Sequence, residues 1–235
     1  MDAPGNMKKQ TESKQGQGIG HGTRIIWSVF LAGAVVLLGV LSYFSYQADA
    51  LDWDKPFIHW YQSKFDLFGW DRAMKAVSWV GGDLQWGAFT IGIAFIWLIT
   101  RKRLAAAFTL SSVAAFGTNA FIKTIVDRPR PTSEAVQVLQ GEDGLSFPSG
   151  HVATYTALFG ITFFLVTRYV NNLWLKRVLQ VILGAMIFLI GPSRMTLGVH
   201  WPSDVGGGYL VGAIYLLIAV PLFIFLSRRA ETQSS

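Results

Sequence analysis

Apolar residues in this chain gather into long blocks rather than alternating as in a strand or recurring on one helical face. Six blocks stand out, at residues 25–46, 84–100, 104–126, 152–170, 178–190 and 205–227. A hydrocarbon core about 30 Å thick takes roughly 20 helical residues to cross. Each block therefore predicts a membrane-crossing helix, although the second and fifth are short or interrupted by glycine. The expected fold is all-α, a polytopic integral membrane protein with about six transmembrane helices across residues 24–229.

Polar stretches divide the remainder. Residues 1–23, rich in Gly, Gln, Lys and Ser, predict a disordered cytoplasmic tail, and residues 230–235 are expected to form a short cytoplasmic tail after the membrane domain. Ala48-Asp49-Ala50 has the small-residue form of a signal-peptidase site. The apolar run before it exceeds a signal core of about 7–15 residues, so a retained anchor is expected. Residues 51–80 carry Trp53, Trp60, Trp70 and Trp79, with Phe57, Trp60, Tyr61, Phe65 and Phe68 at helical spacing. They predict an amphipathic helix lying in the interface as an aromatic anchor, or as a rim that guides a lipid headgroup. Residues 132–147 hold Glu134, Glu142 and Asp143 between the breakers Gly141 and Gly144. They read as a connector, with a cover over a site as the alternative. Gly208 and Gly212 in the last block predict close helix packing.

Composition supports a bilayer: 51% of residues are hydrophobic and 14% charged, against about 25% charged in soluble domains. The net charge of +6 raises nucleic acid as a partner, but the charges follow the positive-inside rule instead. With the N-terminus cytoplasmic, 12 of the 20 Lys+Arg lie inside, together with only Asp2, Glu12 and Glu231 of the 14 acidic residues. The absence of cysteine excludes disulfides and thiolate metal sites.

Three clusters of ionisable side chains interrupt this apolar background. They are Lys123 with Arg130-Pro131, Pro148-Ser149-Gly150-His151, and Ser193-Arg194 with His200 and Asp204. In the orientation above all three fall at outer helix ends: after the third block, opening the fourth, leaving the fifth and leading into the sixth. Charge beside a bilayer is costly unless paired or used, so the clusters mark an extracytoplasmic site. Lys123, Arg130 and Arg194 suit a ligand with several anionic oxygens, phosphate above carboxylate. Ser149 and Gly150 precede a helix whose first N–H groups are available to an anion, and Gly150 permits close approach. His200 and Asp204, four residues apart, bring a carboxylate to one imidazole nitrogen and leave the other as a nucleophile. His151, across the cradle, becomes the general acid. Two histidines in these roles suffice for phosphoryl transfer without metal or other cofactor. His21 and His59 read as solvated, and arginines at helix ends often snorkel to headgroups. The joint occurrence of the clusters, in order and on one face, carries the inference.

The clusters match K-x6-R-P, P-S-G-H and S-R-x5-H-x3-D, with every fixed position filled. In this the chain resembles the type 2 phosphatidic acid phosphatase superfamily, whose soluble relatives include bacterial acid phosphatases and vanadium haloperoxidases. The resemblance implies His200 as nucleophile, Asp204 as its partner and His151 as acid, with Lys123, Arg130, Ser149, Gly150 and Arg194 binding phosphate. Arg128 lies off the fixed pattern and reads as a flanking cation. The implied activity is metal-independent hydrolysis of a lipid phosphate through a phosphohistidine. The implied partners are that lipid and the bilayer, with no protein partner indicated.

Other readings are weaker. Asp52-Trp53-Asp54 has the D-x-D spacing of aspartyl-phosphate enzymes, but it follows a membrane block and precedes Lys55, and no carboxylate cluster offers a two-metal site. Phosphoryl transfer to a second lipid rather than to water stays open. A reading of another class is an anionic-lipid transporter or binding protein, yet few ionisable groups lie in mid-span to form a path. An outward site in a chain of bacterial character makes undecaprenyl diphosphate the leading substrate. Phosphatidylglycerol phosphate, phosphatidate and lipid A phosphates follow, and the bacterial plasma membrane is the expected location.

Overall fold

The computed structural model describes residues 21–65 and 69–233, and every regular element among them is helical. In chain order these are α1 (His21–Gln47), α2 (Asp54–Lys64), α3 (Trp70–Trp79), α4 (Asp83–Ile99), α5 (Arg103–Leu110), α6 (Val113–Val126), α7 (Gly150–Tyr169), α8 (Leu173–Thr196) and α9 (Pro202–Gln233). The expected N-terminal tail lies outside the described residues except for its last three, which are already helical. Phe68 of the aromatic set also lies outside them.

Among the described residues, five spans are long and apolar enough to cross a membrane: α1, α5 with α6, α7, α8 and α9. A sixth exists if α3 and α4, bent by 60° at their junction, count as one. The short second block therefore gains its length from the segment before it. The helices are not equivalent: 67% of the most apolar window of α7 is buried, against 6% for α1 and 11% for α8. Protein surrounds α7 on most sides, while α1 and α8 turn apolar side chains outward, where a bilayer leaves no polar backbone exposed because helices satisfy their own.

Small residues set the contact between α7 and α9. A side chain on Gly208 would lie 2.6 Å from the Ser149 carbonyl and 2.8 Å from Val152, and Gly212 faces Thr156 in the same way. The glycine pair seen in the sequence thus brings α9 against the start of α7, where the second cluster sits.

Three expectations need correction. The fifth block was expected to end at residue 190, yet α8 continues through Gly191 and Pro192 to Thr196. Proline removes the N–H that would bond the Phe188 carbonyl. The Tyr209 hydroxyl of α9 sits 2.9 Å from the Ile187 carbonyl and 3.2 Å from that of Phe188, and also meets the Gly191 amide. A neighbouring helix thus supplies what proline withholds, and Ser193 and Arg194 stay inside the helix rather than leaving it. The segment 51–80, expected as one interfacial helix, forms α2 and α3, whose buried residues include Asp54, Ile58, Tyr61, Met74 and Ser78. Tyr61 turns inward to Thr196 at 3.0 Å and only part of the aromatic set stays exposed. Finally, the boundary expected at residue 229 falls inside α9, which runs to Gln233.

Gly208→Ala should cost about 1–3 kcal/mol by overpacking, because the atom in the way is backbone. Thermal unfolding in detergent reads this, with Gly206→Ala as control, since nothing lies within 4 Å of a side chain there.

Candidate active site

The third cluster is built on the start of α9. Pro202 takes the first helical position, where its missing N–H is not needed. Asp204, two residues on, accepts from the Trp201 amide at 2.7 Å, half of a capping box. That cap aims the Asp204 carboxylate back at His200, whose Nδ1 lies 3.5 Å from Oδ2. The Ser146 hydroxyl donates to the same Oδ2 at 2.5 Å and lies 3.4 Å from Nδ1. On the other edge of the ring, Nε2 lies 3.2 Å from Arg130 Nη1. A guanidinium only donates, so Nε2 is the acceptor and the ring proton sits on Nδ1, toward Asp204. The Nε2 lone pair of His200 therefore points at the cations, where Arg130 donates to it.

Those cations are held in place by the loop between α6 and α7. Arg130 donates to the Val199 carbonyl at 2.9 Å and the Gly144 carbonyl at 3.2 Å, and pairs with Glu142 at 3.0 Å. Arg194 reaches Glu142 with one nitrogen and the Ser78 hydroxyl with another. Lys123, in the last turn of α6, donates to the Leu145 carbonyl and lies 3.4 Å from that of Ser146. The second cluster closes the site: the Ser149 amide donates to the Asp204 carbonyl at 2.9 Å, tying α7 to α9. Asn119 of α6 holds the Pro148 carbonyl at 3.1 Å. Among the described residues, Ser149 Oγ and Arg194 Nε are buried here without a hydrogen-bond partner, as is Trp86 Nε1. Buried orphans are rare and call for an explanation, and phosphate oxygens would supply one.

A cavity of about 740 Å³ opens beside these groups, with Ser149 and Arg194 lying behind its lining, within the range of small-molecule sites. Lys123, Arg130, Glu142, His151 and His200 line its polar part, and Trp79, Trp86 and Phe116 its apolar part. Gly81, at the α3–α4 junction, allows the His151 ring to approach, since a side chain there would lie 2.8 Å from it. Burial holds the His200 imidazole well below its ordinary value, helped by the nearby Arg194, Arg130 and Lys123 charges. Burial acts to raise Glu142, but Arg194, His151 and Arg130 outweigh it and bring the carboxyl down to about 2. Among the described residues no group of three His, Asp or Glu forms a metal-ligand set.

Residues 103–228 match the model of the PAP2 superfamily, more than half of the chain. The chain belongs to the PAP2 superfamily. This PAP2 protein is 30% identical to phosphatidylglycerophosphatase B of Bacillus subtilis over 46% of its own length and 55% of the relative's. It is 27% identical to lipid A 4'-phosphatase of Bacteroides thetaiotaomicron, over 61% and 65% of the two chains. The chain thus spans little more than half to two thirds of these relatives. A crystal structure of a transmembrane PAP2 type phosphatidylglycerolphosphate phosphatase from Bacillus subtilis superposes with a TM-score of 0.63 at 22% identity, over 80% of this chain and 94% of that one. Aquifex aeolicus LpxE gives 0.53 at 23%, over 72% and 96%. At such identities the likeness shows the fold, a membrane helix bundle of the PAP2 type.

The eight residues singled out from the sequence, Lys123, Arg130, Ser149, Gly150, His151, Arg194, His200 and Asp204, all gather at this end of the bundle. The Ser149 amide is taken by Asp204, so Ser149 offers its hydroxyl rather than its N–H. Two readings change. The loop expected as a connector supplies Glu142, Ser146 and the carbonyls that hold Lys123 and Arg130. Arg128, taken for a flanking cation, is fully buried between Asp54 and Asp204, at 2.7 Å from each. Asp54, set aside as half of a D-x-D, is its partner. Ser146, Ser78 and Asn119 carried no spacing signal, and neither did Arg128, which lies between Asp127 and Pro129 inside the K-x6-R-P spacing.

Glu142→Gln should strengthen inhibition by inorganic phosphate on the order of tenfold, the worth of one charge-assisted hydrogen bond no longer in competition. Glu142 stays ionised above its depressed pKa, so the ratio between the variants should hold constant from about pH 5 to about pH 8. Phosphate inhibition curves measured at several pH values check both points.

Proposed function

We propose that this PAP2 protein is a membrane lipid-phosphate phosphatase acting through a phosphohistidine on His200. The observation that carries the reading is the Glu142 carboxylate, held by Arg130 and Arg194 beside the unprotonated Nε2 of His200. An oxyanion is thus already accommodated at the tip of the nucleophile. A substrate phosphate displaces Glu142, takes Lys123, Arg130 and Arg194 as counter-charges, and satisfies the Ser149 hydroxyl and Arg194 Nε. Nε2 attacks in line: the N–P bond forms as the P–O bond to the lipid breaks, and His151 gives its proton to the departing oxygen. Water then attacks phosphorus, the P–N bond breaks, and the water proton returns to His151. Asp204 keeps the Nδ1 proton oriented and steadies the charge that develops on the ring.

The headgroup lies on the polar floor and the lipid chain against Trp86 and Phe116, entering sideways from the bilayer. The charge asymmetry of the sequence supports an extracytoplasmic site in a bacterial plasma membrane, with both termini cytoplasmic. Undecaprenyl diphosphate heads the substrate candidates; the relatives' names lend support to phosphatidylglycerol phosphate and lipid A phosphates beside it, with phosphatidate behind.

A phosphate-release panel across these lipids, with His200→Ala as blank, tests the reading and identifies the substrate. Wild type should release phosphate from at least one lipid, and His200→Ala should give neither turnover nor phosphoenzyme. EDTA should leave the rate unchanged; loss on chelation that Mg²⁺ restores contradicts the histidine mechanism. His151→Ala should bind substrate yet lose about 10²- to 10⁴-fold in kcat. His200 must be unprotonated, so activity falls as pH drops through its depressed pKa. The acid limb of kcat/KM should therefore lie below about pH 6.5.

A further inference from the structure

Behind His200, away from the cavity, lies a buried charge network of which the phosphoryl-transfer scheme uses only Asp204. Asp54, Ser203 and Asp204 are 0% exposed and Arg128 1%. Arg128 Nη1 donates to Asp204 Oδ1 at 2.7 Å and to the Ser203 hydroxyl at 2.6 Å; Nη2 donates to Asp54 Oδ2 at 2.7 Å, and Nε to the Asp49 carbonyl at 3.1 Å. Asp54 is satisfied in turn by the Ser203 amide at 2.9 Å, the Ser203 hydroxyl at 2.6 Å and the Leu51 amide at 2.9 Å. A buried ion group of this kind is weak evidence for stability, since an apolar replacement of similar volume is often as stable. Its geometry gives it a more specific use.

We infer that Arg128 and Asp54 are positioning residues for the nucleophile, acting through Asp204. Asp204 has two oxygens with different duties. Oδ2 takes the Trp201 amide, the Ser146 hydroxyl and the His200 side, while Oδ1 takes Arg128. The guanidinium therefore fixes the rotation of the carboxylate that orients the imidazole. Unbalanced, the Arg128 charge would also draw electron density from that carboxylate and make His200 a poorer nucleophile. Asp54 offsets it. The pair sets both the aim and the basicity of His200, and Asp54 lies outside the family-matched residues 103–228, so α2 completes the site from a part of the chain that the family model does not reach.

The groups facing His200 are Asp204 from α9, Lys123 from α6, Arg194 from α8, and Arg130, Glu142 and Ser146 from the loop. Against that fixed surrounding, the two ends of the network act with opposite sign. Removing the negative charge of Asp54 leaves Arg128 uncompensated and lowers the His200 pKa; removing the positive charge of Arg128 raises it. A merely structural role would not give opposite shifts.

The inference rests on His200 being the nucleophile, so the test carries His200→Ala in parallel. The experiment is steady-state phosphate release by the full-length protein in detergent, across pH, on the lipid that the wild type turns over best. Asp54→Asn should lose about tenfold in kcat and Arg128→Gln up to about 100-fold, each with KM within about twofold of wild type. The acid limb of kcat/KM should move down by about half a pH unit or more in Asp54→Asn and up by a similar amount in Arg128→Gln. Should Arg128→Gln fail to fold, Asp54→Asn, which keeps side-chain volume, carries the test through its kcat loss and downward shift. Wild-type kcat and acid limb in these variants beside an inactive His200→Ala overturn the positioning role alone, as do limbs that move the same way in both. Turnover by His200→Ala overturns the nucleophile reading and this one with it.

Discussion

One guanidinium, that of Arg128, is buried between two carboxylates, and the cluster end of the molecule is arranged around it. Moving such charges out of water costs several kcal/mol per ion, and removing one partner of a buried pair costs about 3–5 kcal/mol. The ion triad is tolerable because every charged oxygen and every guanidinium nitrogen is bonded. That saturation requires α2, the residues after α6, and the start of α9 to meet at one point. The fold is pinned where the chemistry is, and the apolar helices around it are free to be shaped by lipid.

The face of the site toward the cavity follows a different logic. Lys123, Arg130 and Arg194 are like charges brought close together, which is unfavourable unless something opposes them. Backbone carbonyls of the loop and the Glu142 carboxylate do so. The cations are thereby held in position before any substrate arrives, and an anion that replaces Glu142 meets groups that need little reorganisation. The low-dielectric surroundings that hold His200 neutral also strengthen each of these interactions. The cavity joins this charged floor to aromatic walls of α4 and α6, matching a ligand that is anionic at one end and apolar at the other.

Helix α8 shows how the bilayer setting and the site are linked. Its Gly191-Pro192 step would end a helix in isolation, yet the Tyr209 hydroxyl covers the carbonyl that proline leaves without its amide. Because the helix persists, Arg194 occupies its last turn at a fixed height and reaches Glu142 and Ser78 together. A frayed end would leave the same arginine free to snorkel toward headgroups.

The sequence by itself determined the all-helical membrane character, the approximate spans and the eight residues that the fold gathers. Each is written in local terms: length of an apolar run, a carboxylate one turn from a histidine, cations at fixed spacing from a proline. Composition and spacing register what a residue needs within a turn or a loop of its own position. Only the tertiary structure decided that Arg128 belongs to Asp54 and Asp204, that the 132–147 loop holds the cations, that residues 51–80 form part of the site, and that α8 passes its proline. All of these depend on partners supplied by other elements, 74 residues away for Arg128 and Asp54, and a donor or counter-charge that packing brings from that distance leaves no period in the chain.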